Sequence, residues 1–142
     1  SRGLGDVYKR QAFNTPMIEA LIQAAESRGY RIRWHRGGPK AAWVPAQNAI
    51  TVQIGMDDVT TLCSLAHELG HAHYGDPPGH HGAHEIRADR FAARLLINPT
   101  EYATAEAIYG PHPAAIAAEL GVTVNILKSW QQLYTALMVK SS

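Results

Sequence analysis

Cysteine, long apolar runs and an excess charge of either sign are all scarce in this sequence. Its 142 residues contain one cysteine, Cys63, so no disulfide can form within the chain, and a reducing compartment suits it. No apolar run reaches the length of a membrane span and no secretory signal is visible, so we expect a cytoplasmic protein. The formal net charge of +1 favours neither an acidic nor a basic partner. Because 46% of the residues are hydrophobic, the chain can bury the core of one domain.

The stretch His67-Glu68-Leu69-Gly70-His71 carries the clearest chemical signal. It matches H-E-x-x-H, in which two histidines one helical turn apart bind a zinc ion, Zn2+. A spacing of four residues puts both imidazoles on one helix face. Glu68 then lies beside the metal, where it can take a proton from metal-bound water, which is the chemistry of metal-assisted amide hydrolysis.

The motif continues a helix-compatible apolar run, which indicates a partly buried helix. The run consists of Leu62, Leu65, Ala66, Leu69 and Ala72. Buried histidines need polar partners, and a metal ion supplies them. The alternative is a histidine-rich helix with ordinary surface side chains, which this apolar context does not favour. We predict that the helix begins near Asp57-Asp58 and ends around Tyr74-Gly75.

The loop after this helix is not expected to supply the third ligand. The three-histidine pattern H-E-x-x-H-x-x-G-x-x-H fails, because Tyr74 and Pro77 stand where it requires Gly and His. Residues 76–82 form a loop by composition. We expect the histidines in and around this loop to be solvated rather than bound to metal: His73, His80 and His81.

We therefore predict the third ligand on the following helix, at residues 84–97. Glu85 and Asp89 lie one turn apart on one face and repel each other unless a cation or a donor separates them. A zinc site resolves this conflict: Glu85 binds the metal, and Asp89 accepts the N–H of a ligand histidine, His67. His84 is the alternative ligand from this segment. The alternative without a metal is a surface helix whose arginines pair with the acids.

A helix and a small sheet are predicted before the motif. Thr15-Pro16 is expected to start a helix that ends near Arg28. Three stretches read as strands of an antiparallel sheet, at residues 30–36, 42–44 and 49–54. We expect the last of these strands to be the edge along which an extended substrate lies.

Three parts of the chain are distinguished by pattern. Residues 1–11 lack useful periodicity and resemble a translated adapter fused to genes from environmental DNA, or else a disordered tail. Residues 12–110 are predicted to form the core domain. Residues 111–142 contain a helix-turn-helix-like pair packed on that core. Its second helix offers only Lys128 and Lys140 as cations, so direct nucleic-acid binding is not expected.

The chain resembles the ImmA/IrrE family of metallopeptidases from about residue 49 to Pro99. The resemblance rests on the stretch Leu65-Ala66-His67-Glu68-Leu69-Gly70-His71 and on an E-x-x-A-D-x-F-A helix that begins at Glu85. Two features depart from the family pattern: the linker between the helices is rich in histidine, and Asn98 stands where the family usually has Met. Neither departure touches the proposed ligands.

This resemblance implies a small zincin-like α+β domain with a helical C-terminal segment. Carried over by position, the zinc ligands are His67, His71 and Glu85, and the general base is Glu68. The family is associated with cleaving or inactivating helix-turn-helix repressors of bacteria, phages and mobile elements, so a transcriptional repressor is the expected protein substrate. An oxyanion-stabilising residue is not evident, and the downstream candidates are expected to be structural: Tyr102, Tyr109 and His112.

Two functions are therefore compared. The first is a zinc-dependent endopeptidase. The second is a non-enzymatic regulator that binds a repressor or DNA through its C-terminal helices, with a purely structural metal. Glu68 discriminates between them, because a structural site does not need that carboxylate, and its presence favours catalysis.

Overall fold

The computed structural model describes the backbone of residues 4–141 and the side chains of residues 15–136. Within them, the chain forms six helices and a three-stranded sheet, which confirms the predicted α+β class. The elements are α1 (Leu4–Ser27), β1 (Arg31–His35), β2 (Ala41–Val44), a 3-10 turn (Pro45–Gln47), β3 (Ala49–Gln53), α2 (Asp58–Tyr74), α3 (Gly82–Leu96), α4 (Pro99–Tyr109), α5 (Pro113–Leu120) and α6 (Val124–Ser141).

The sheet is mixed, so the prediction of a purely antiparallel sheet was wrong. The strand order is β1-β3-β2, with β1 parallel to β3 and β2 antiparallel to β3. The chain reverses direction between β1 and β2 and again through the 3-10 turn, so β3 runs the same way as β1 and fills the place between the two. The expectation that β3 is the substrate-binding edge was also wrong, since β3 is central and β2 is an edge strand.

The first helix begins at Leu4 rather than at Thr15, so its predicted start was wrong. Pro16 lies inside the helix, because its fixed φ is compatible with helical backbone even though one hydrogen bond is lost. Thr15 does not cap the helix; its hydroxyl donates to Asp58 Oδ2 at 2.9 Å. Residues 4–11 are helical backbone. That residues 1–11 come from a fused adapter stays a prediction.

The helix that carries the H-E-x-x-H motif has the predicted bounds, which are confirmed. Asp57 caps its N-terminus, where the carboxylate accepts the backbone N–H of Thr60 at 2.8 Å. Gly75 ends it in the left-handed conformation, with φ 64°. The helix lies between two apolar clusters: Leu65 and Leu69 pack towards the sheet. On its other face, Cys63 and Ala66 belong to a buried cluster that also contains residues of α3 to α6.

The cap at Asp57 gives a first testable prediction. Asp57→Ala should lower the free energy of unfolding by about 1 kcal/mol, whereas Asp57→Asn should retain most of the cap. The hydrogen bond from Thr60 outweighs burial and lowers the pKa of Asp57. The stabilisation that depends on the Asp57 charge is therefore fully present above about pH 4, the ordinary pKa of an aspartate. It is lost as the pH falls through the lower pKa that Asp57 has in the folded protein.

Urea denaturation of the three proteins at pH 7 and in acid measures this effect. The difference between wild type and Asp57→Asn should shrink in acid. A difference that is the same at both pH values would show that the carboxylate charge does not stabilise the helix.

The two site-bearing helices, α2 and α3, cross at Gly70. A Cβ atom added at Gly70 would lie 2.9 Å from the Cα of Ala88, closer than real Cβ contacts allow. Ala88, Ala92 and Ala93 are fully buried on the facing side of α3. Small residues on both helices therefore let the backbones approach closely.

The C-terminal helices share the core of the domain. Ile116, Leu127 and Trp130 lie in one buried cluster with Ala92 and Ala93 of α3. The helix-turn-helix-like pair is thus packed against the helix that carries Glu85. Among the described residues, none of the helices combines the length and apolar character needed to cross a membrane.

Candidate metal centre

Three predicted ligands converge between α2 and α3. His67 Nε2 and His71 Nε2 lie 3.1 Å apart. Glu85 Oε2 is 2.8 Å from His67 Nε2, and Glu85 Oε1 is 3.0 Å from His71 Nε2. One ligand atom from each residue lies within 4.8 Å of the other two. The crossing of two helices therefore assembles a group that neither helix provides alone.

The chemistry of these atoms fits a cation. Both histidines turn Nδ1 towards a carboxylate, His67 towards Asp89 at 2.7 Å and His71 towards Asp76 at 2.8 Å. A carboxylate only accepts, so each Nδ1 carries the proton, and in a neutral ring each Nε2 presents a lone pair. Two lone pairs and the Glu85 carboxylate then face one another, an arrangement that a metal ion stabilises.

Asp89 contacts His67 at the position expected from the sequence. Its other oxygen, Oδ2, accepts the side-chain N–H of Asn125 at 3.2 Å. Asn125 lies at the start of α6, so the C-terminal helical pair reaches the partner of a candidate ligand. Sequence reasoning missed this role of Asn125, because a contact between residues 36 positions apart leaves no local pattern.

Asp76 is a second supporting carboxylate that sequence reasoning also missed. It was assigned to a loop by composition, yet it is buried and accepts the Nδ1–H of His71. The helix end explains its position: the backbone N–H of Gly75 donates to Ala72 and that of Asp76 to the carbonyl of His71, as in a Schellman motif. This motif folds Asp76 back over the last helical turn. The glycine at position 75 is therefore a sequence signal from which the position of Asp76 could have been predicted.

The Asp76 carboxylate is held by further charges and hydrogen bonds. Arg87 forms an ion pair with Oδ1 and lies over the ring of Tyr74, 4.0 Å from its centroid. The indole N–H of Trp43 donates to the Asp76 carbonyl at 3.0 Å. Burial alone would raise the pKa of Asp76, but the hydrogen bond from His71 and the charge of Arg87 lower it. The carboxylate is therefore kept ionised against His71.

Glu68 lies beside the three candidate ligands without belonging to their group. Burial raises the pKa of its carboxyl group above the ordinary value. Glu68 lines both cavities that meet at the site. Glu68 therefore lies at the boundary of both cavities and outside the group of candidate ligands.

Two cavities that share part of their lining lie over the site beside β2, and we call them together the groove. One cavity of about 440 Å³ extends towards α6, with Thr123, Asn125 and Ile126 in its wall. The second, of about 250 Å³, extends towards Trp43 and Pro77. Both cavities are lined by Pro39, Ala41, Glu68, His80 and Glu85. The groove therefore extends from the candidate ligands in two directions, towards α6 and towards Trp43.

Of the other histidines and downstream residues considered from the sequence, His80 alone lies at the candidate metal centre. His73 packs on Phe91, with ring centroids 5.1 Å apart, and His84 packs on His81 at 5.4 Å. The downstream candidates are absent from both cavity walls, and two of them make local hydrogen bonds: Tyr102 donates to Glu106, and Tyr109 to Glu119. His112 precedes α5. His80 instead lies at the site, with Nδ1 3.4 Å from Glu85 Oε1.

A helix-borne H-E-x-x-H motif beside a small sheet, with a third candidate ligand from the next helix, defines the zincin-like class of metallopeptidase domains. The chain belongs to the peptidase family M78, described as the IrrE N-terminal-like domain, whose family model matches residues 19–129. This confirms the family predicted from the sequence, and the match extends through α5 into α6. At the family level the protein is a peptidase, and its family implies a metal. No curated protein and no solved structure matches the chain.

Proposed function

We propose that this protein is a zinc-dependent endopeptidase that hydrolyses a peptide bond in a regulatory protein. One observation carries the proposal: two histidine Nε2 atoms and one carboxylate converge on a single point, with a separate carboxylate, Glu68, beside them. A structural zinc site normally has four protein ligands, whereas a catalytic site has three and keeps a position open.

The donor set supports zinc as the metal. His67, His71 and Glu85 would hold it, and two nitrogens with one carboxylate oxygen form a ligand set of catalytic zinc. When bound, zinc lowers the pKa of water to about 7 and polarises a carbonyl group. Asp89 and Asp76 keep both imidazoles in the tautomer that presents Nε2.

Glu68 is the proton carrier in this proposal. It accepts a proton from the attacking water and then donates it to the leaving amine, which is the role of a general base that becomes a general acid. Glu68 lines both cavities, so its carboxylate is within reach of a substrate that occupies the groove. Because the same carboxylate serves both steps, no second acid is required.

The edge of β2 provides main-chain groups for an extended substrate. The carbonyl of Lys40 accepts the N–H of Gln53, so Lys40 and Ala42 turn their backbone groups towards β3. Backbone groups alternate along an antiparallel strand, so those of Ala41 and Trp43 point outwards, into the groove. A peptide can pair with this edge by β-strand addition.

The open groove supports an endopeptidase, because neither end of the substrate needs to lie at the site. We infer a helix-turn-helix repressor of a phage or mobile element as the substrate, on the resemblance to the ImmA/IrrE family, and a cytoplasmic location that suits the single cysteine.

The non-enzymatic alternative is not favoured. The described side chains from 113 to 136 include one cation, Lys128, and α6 is partly buried against the peptidase core.

Elemental analysis of the purified chain tests the metal centre. We expect about one zinc per chain, as in a three-ligand catalytic site, and loss of most of it in Glu85→Ala. The matched control is Glu101→Ala, an exposed glutamate on α4, which should retain the wild-type content. Absence of zinc in every protein would contradict the proposal. If Glu85→Ala retains as much zinc as the wild type, Glu85 is not required to hold the metal.

A further inference from the structure

His80 lies at the mouth of the metal centre. Its Nδ1 is 3.4 Å from Glu85 Oε1, and its ring lines both cavities of the groove. It belongs to the linker between α2 and α3, which is rich in histidine. The site described above assigns no role to this side chain.

The distance to Glu85 is that of two ligand atoms on one metal ion. In a tetrahedral zinc site with bonds of about 2.0–2.2 Å, neighbouring ligand atoms are about 3.3–3.6 Å apart. The 3.4 Å between His80 Nδ1 and Glu85 Oε1 falls in that range. His80 does not belong to the group whose ligand atoms all lie within 4.8 Å of one another. Its ring therefore has to swing towards α2 to join them.

The described residues leave the His80 ring free to make that movement. The side chain is 94% exposed, and Glu85 is its only hydrogen-bonding partner among them. The neighbouring histidines are engaged elsewhere: His81 packs on His84, and His73 on Phe91. An imidazole with no competing partner, next to a carboxylate ligand, is well suited to bind zinc.

We propose that His80 is a fourth protein ligand, which closes the zinc site in the resting protein and is displaced by substrate. This inference rests on the proposed function, since it requires zinc at the three-residue centre. Four protein ligands leave no position open for water, so the resting form is inactive. A peptide that fills the groove takes the space of the His80 ring, because that ring lines both cavities.

The test compares His80→Ala with the matched control His81→Ala in the full chain. His81 is the adjacent histidine and is absent from both cavity walls. Zinc affinity is measured by competition with a chromogenic chelator, and the ligand set by the visible spectrum of the cobalt(II)-loaded protein. We expect His80→Ala to weaken zinc binding by at least about tenfold and to change the cobalt spectrum, since one nitrogen ligand is replaced by water. His81→Ala should behave as wild type.

Turnover separates a displaceable ligand from a residue that acts on the substrate. At saturating zinc, His80→Ala should raise kcat/KM for a cleaved peptide, because the substrate no longer has to displace a histidine from the fourth position on zinc. A fall in kcat with an unchanged cobalt spectrum would overturn the inference and make His80 a substrate-contacting residue. An unchanged affinity and spectrum would overturn it as well, while leaving the three-ligand centre intact. If the wild type itself binds no zinc, it is the proposed function that fails.

Discussion

Replacing Glu68 by glutamine is expected to lower the rate of peptide hydrolysis by about 10²–10⁴-fold, the usual contribution of a general acid–base residue, without releasing the metal. Glutamine has nearly the same shape as glutamate and keeps a carbonyl oxygen that accepts hydrogen bonds, so the groove should persist. It cannot take up a proton at neutral pH. The loss should therefore appear in kcat rather than in substrate binding.

Purified helix-turn-helix repressors are incubated with the zinc-loaded wild type and with Glu68→Gln, and the products are identified by mass spectrometry. Zinc content is measured for both proteins, and Glu101→Gln serves as the matched control on an exposed site. Cleavage by the wild type and its loss in Glu68→Gln at equal zinc content is the expected result. Undiminished cleavage by Glu68→Gln would remove Glu68 from the mechanism.

The second large effect is expected at Gly70, where replacement by alanine should destabilise the protein although the same replacement usually stabilises a helix. Alanine in place of glycine inside a helix normally stabilises by roughly 0.5–1 kcal/mol. Here the added Cβ would lie 2.9 Å from Ala88 Cα, 3.1 Å from its carbonyl oxygen and 3.2 Å from Phe91 Cβ. Backbone atoms cannot rotate away, so α2 and α3 must separate. We expect a loss of about 1–3 kcal/mol, as for other overpacked cores.

Separation of α2 from α3 should also damage the metal centre. His67 and His71 lie on one helix and Glu85 and Asp89 on the other, so a shift between them breaks the contacts that hold the ligands. Zinc affinity should fall by about 10–100-fold, as it does when the supporting contacts of a metal site are lost.

Gly82→Ala is the matched control for Gly70→Ala. Gly82 is the first residue of α3, and a Cβ added there meets nothing within 4 Å. Urea denaturation of the metal-free proteins and zinc competition measure the two effects. We expect Gly82→Ala to be neutral or stabilising. If Gly70→Ala proves as stable as wild type and binds zinc equally well, the close helix crossing does not govern the site.

Much of the candidate site follows from short-range patterns. The spacing of His67 and His71 places two imidazoles on one face of any helix, and the acid of Asp57 with the glycine at position 75 defines where that helix begins and ends. Glu85 and Asp89 share a face for the same reason. Even the position of Asp76, in a segment whose composition indicates a loop, could be predicted from the sequence. A glycine that ends a helix folds the next residue back over the last turn, here over His71.

Other parts could not be read from local patterns. The strand order was one of them: alternation along β1 and β3 identifies strands, but it does not state which strands are neighbours or in which direction they pair. The same limit concealed the contact of Asn125 with Asp89, which joins residues 36 positions apart.

The sequence by itself determined the family, the α+β class, the helix that carries the motif and the residue types that can bind a metal, because these depend on periodicity and on neighbours within one or two turns. The tertiary structure alone decided that β2 is the edge strand beside Glu68 and that α6 reaches Asp89. Those features arise from the packing of distant segments, in which the close approach of Gly70 and Ala88 sets the distance between the helices. Such long-range packing depends on the summed burial of many side chains rather than on any one pattern.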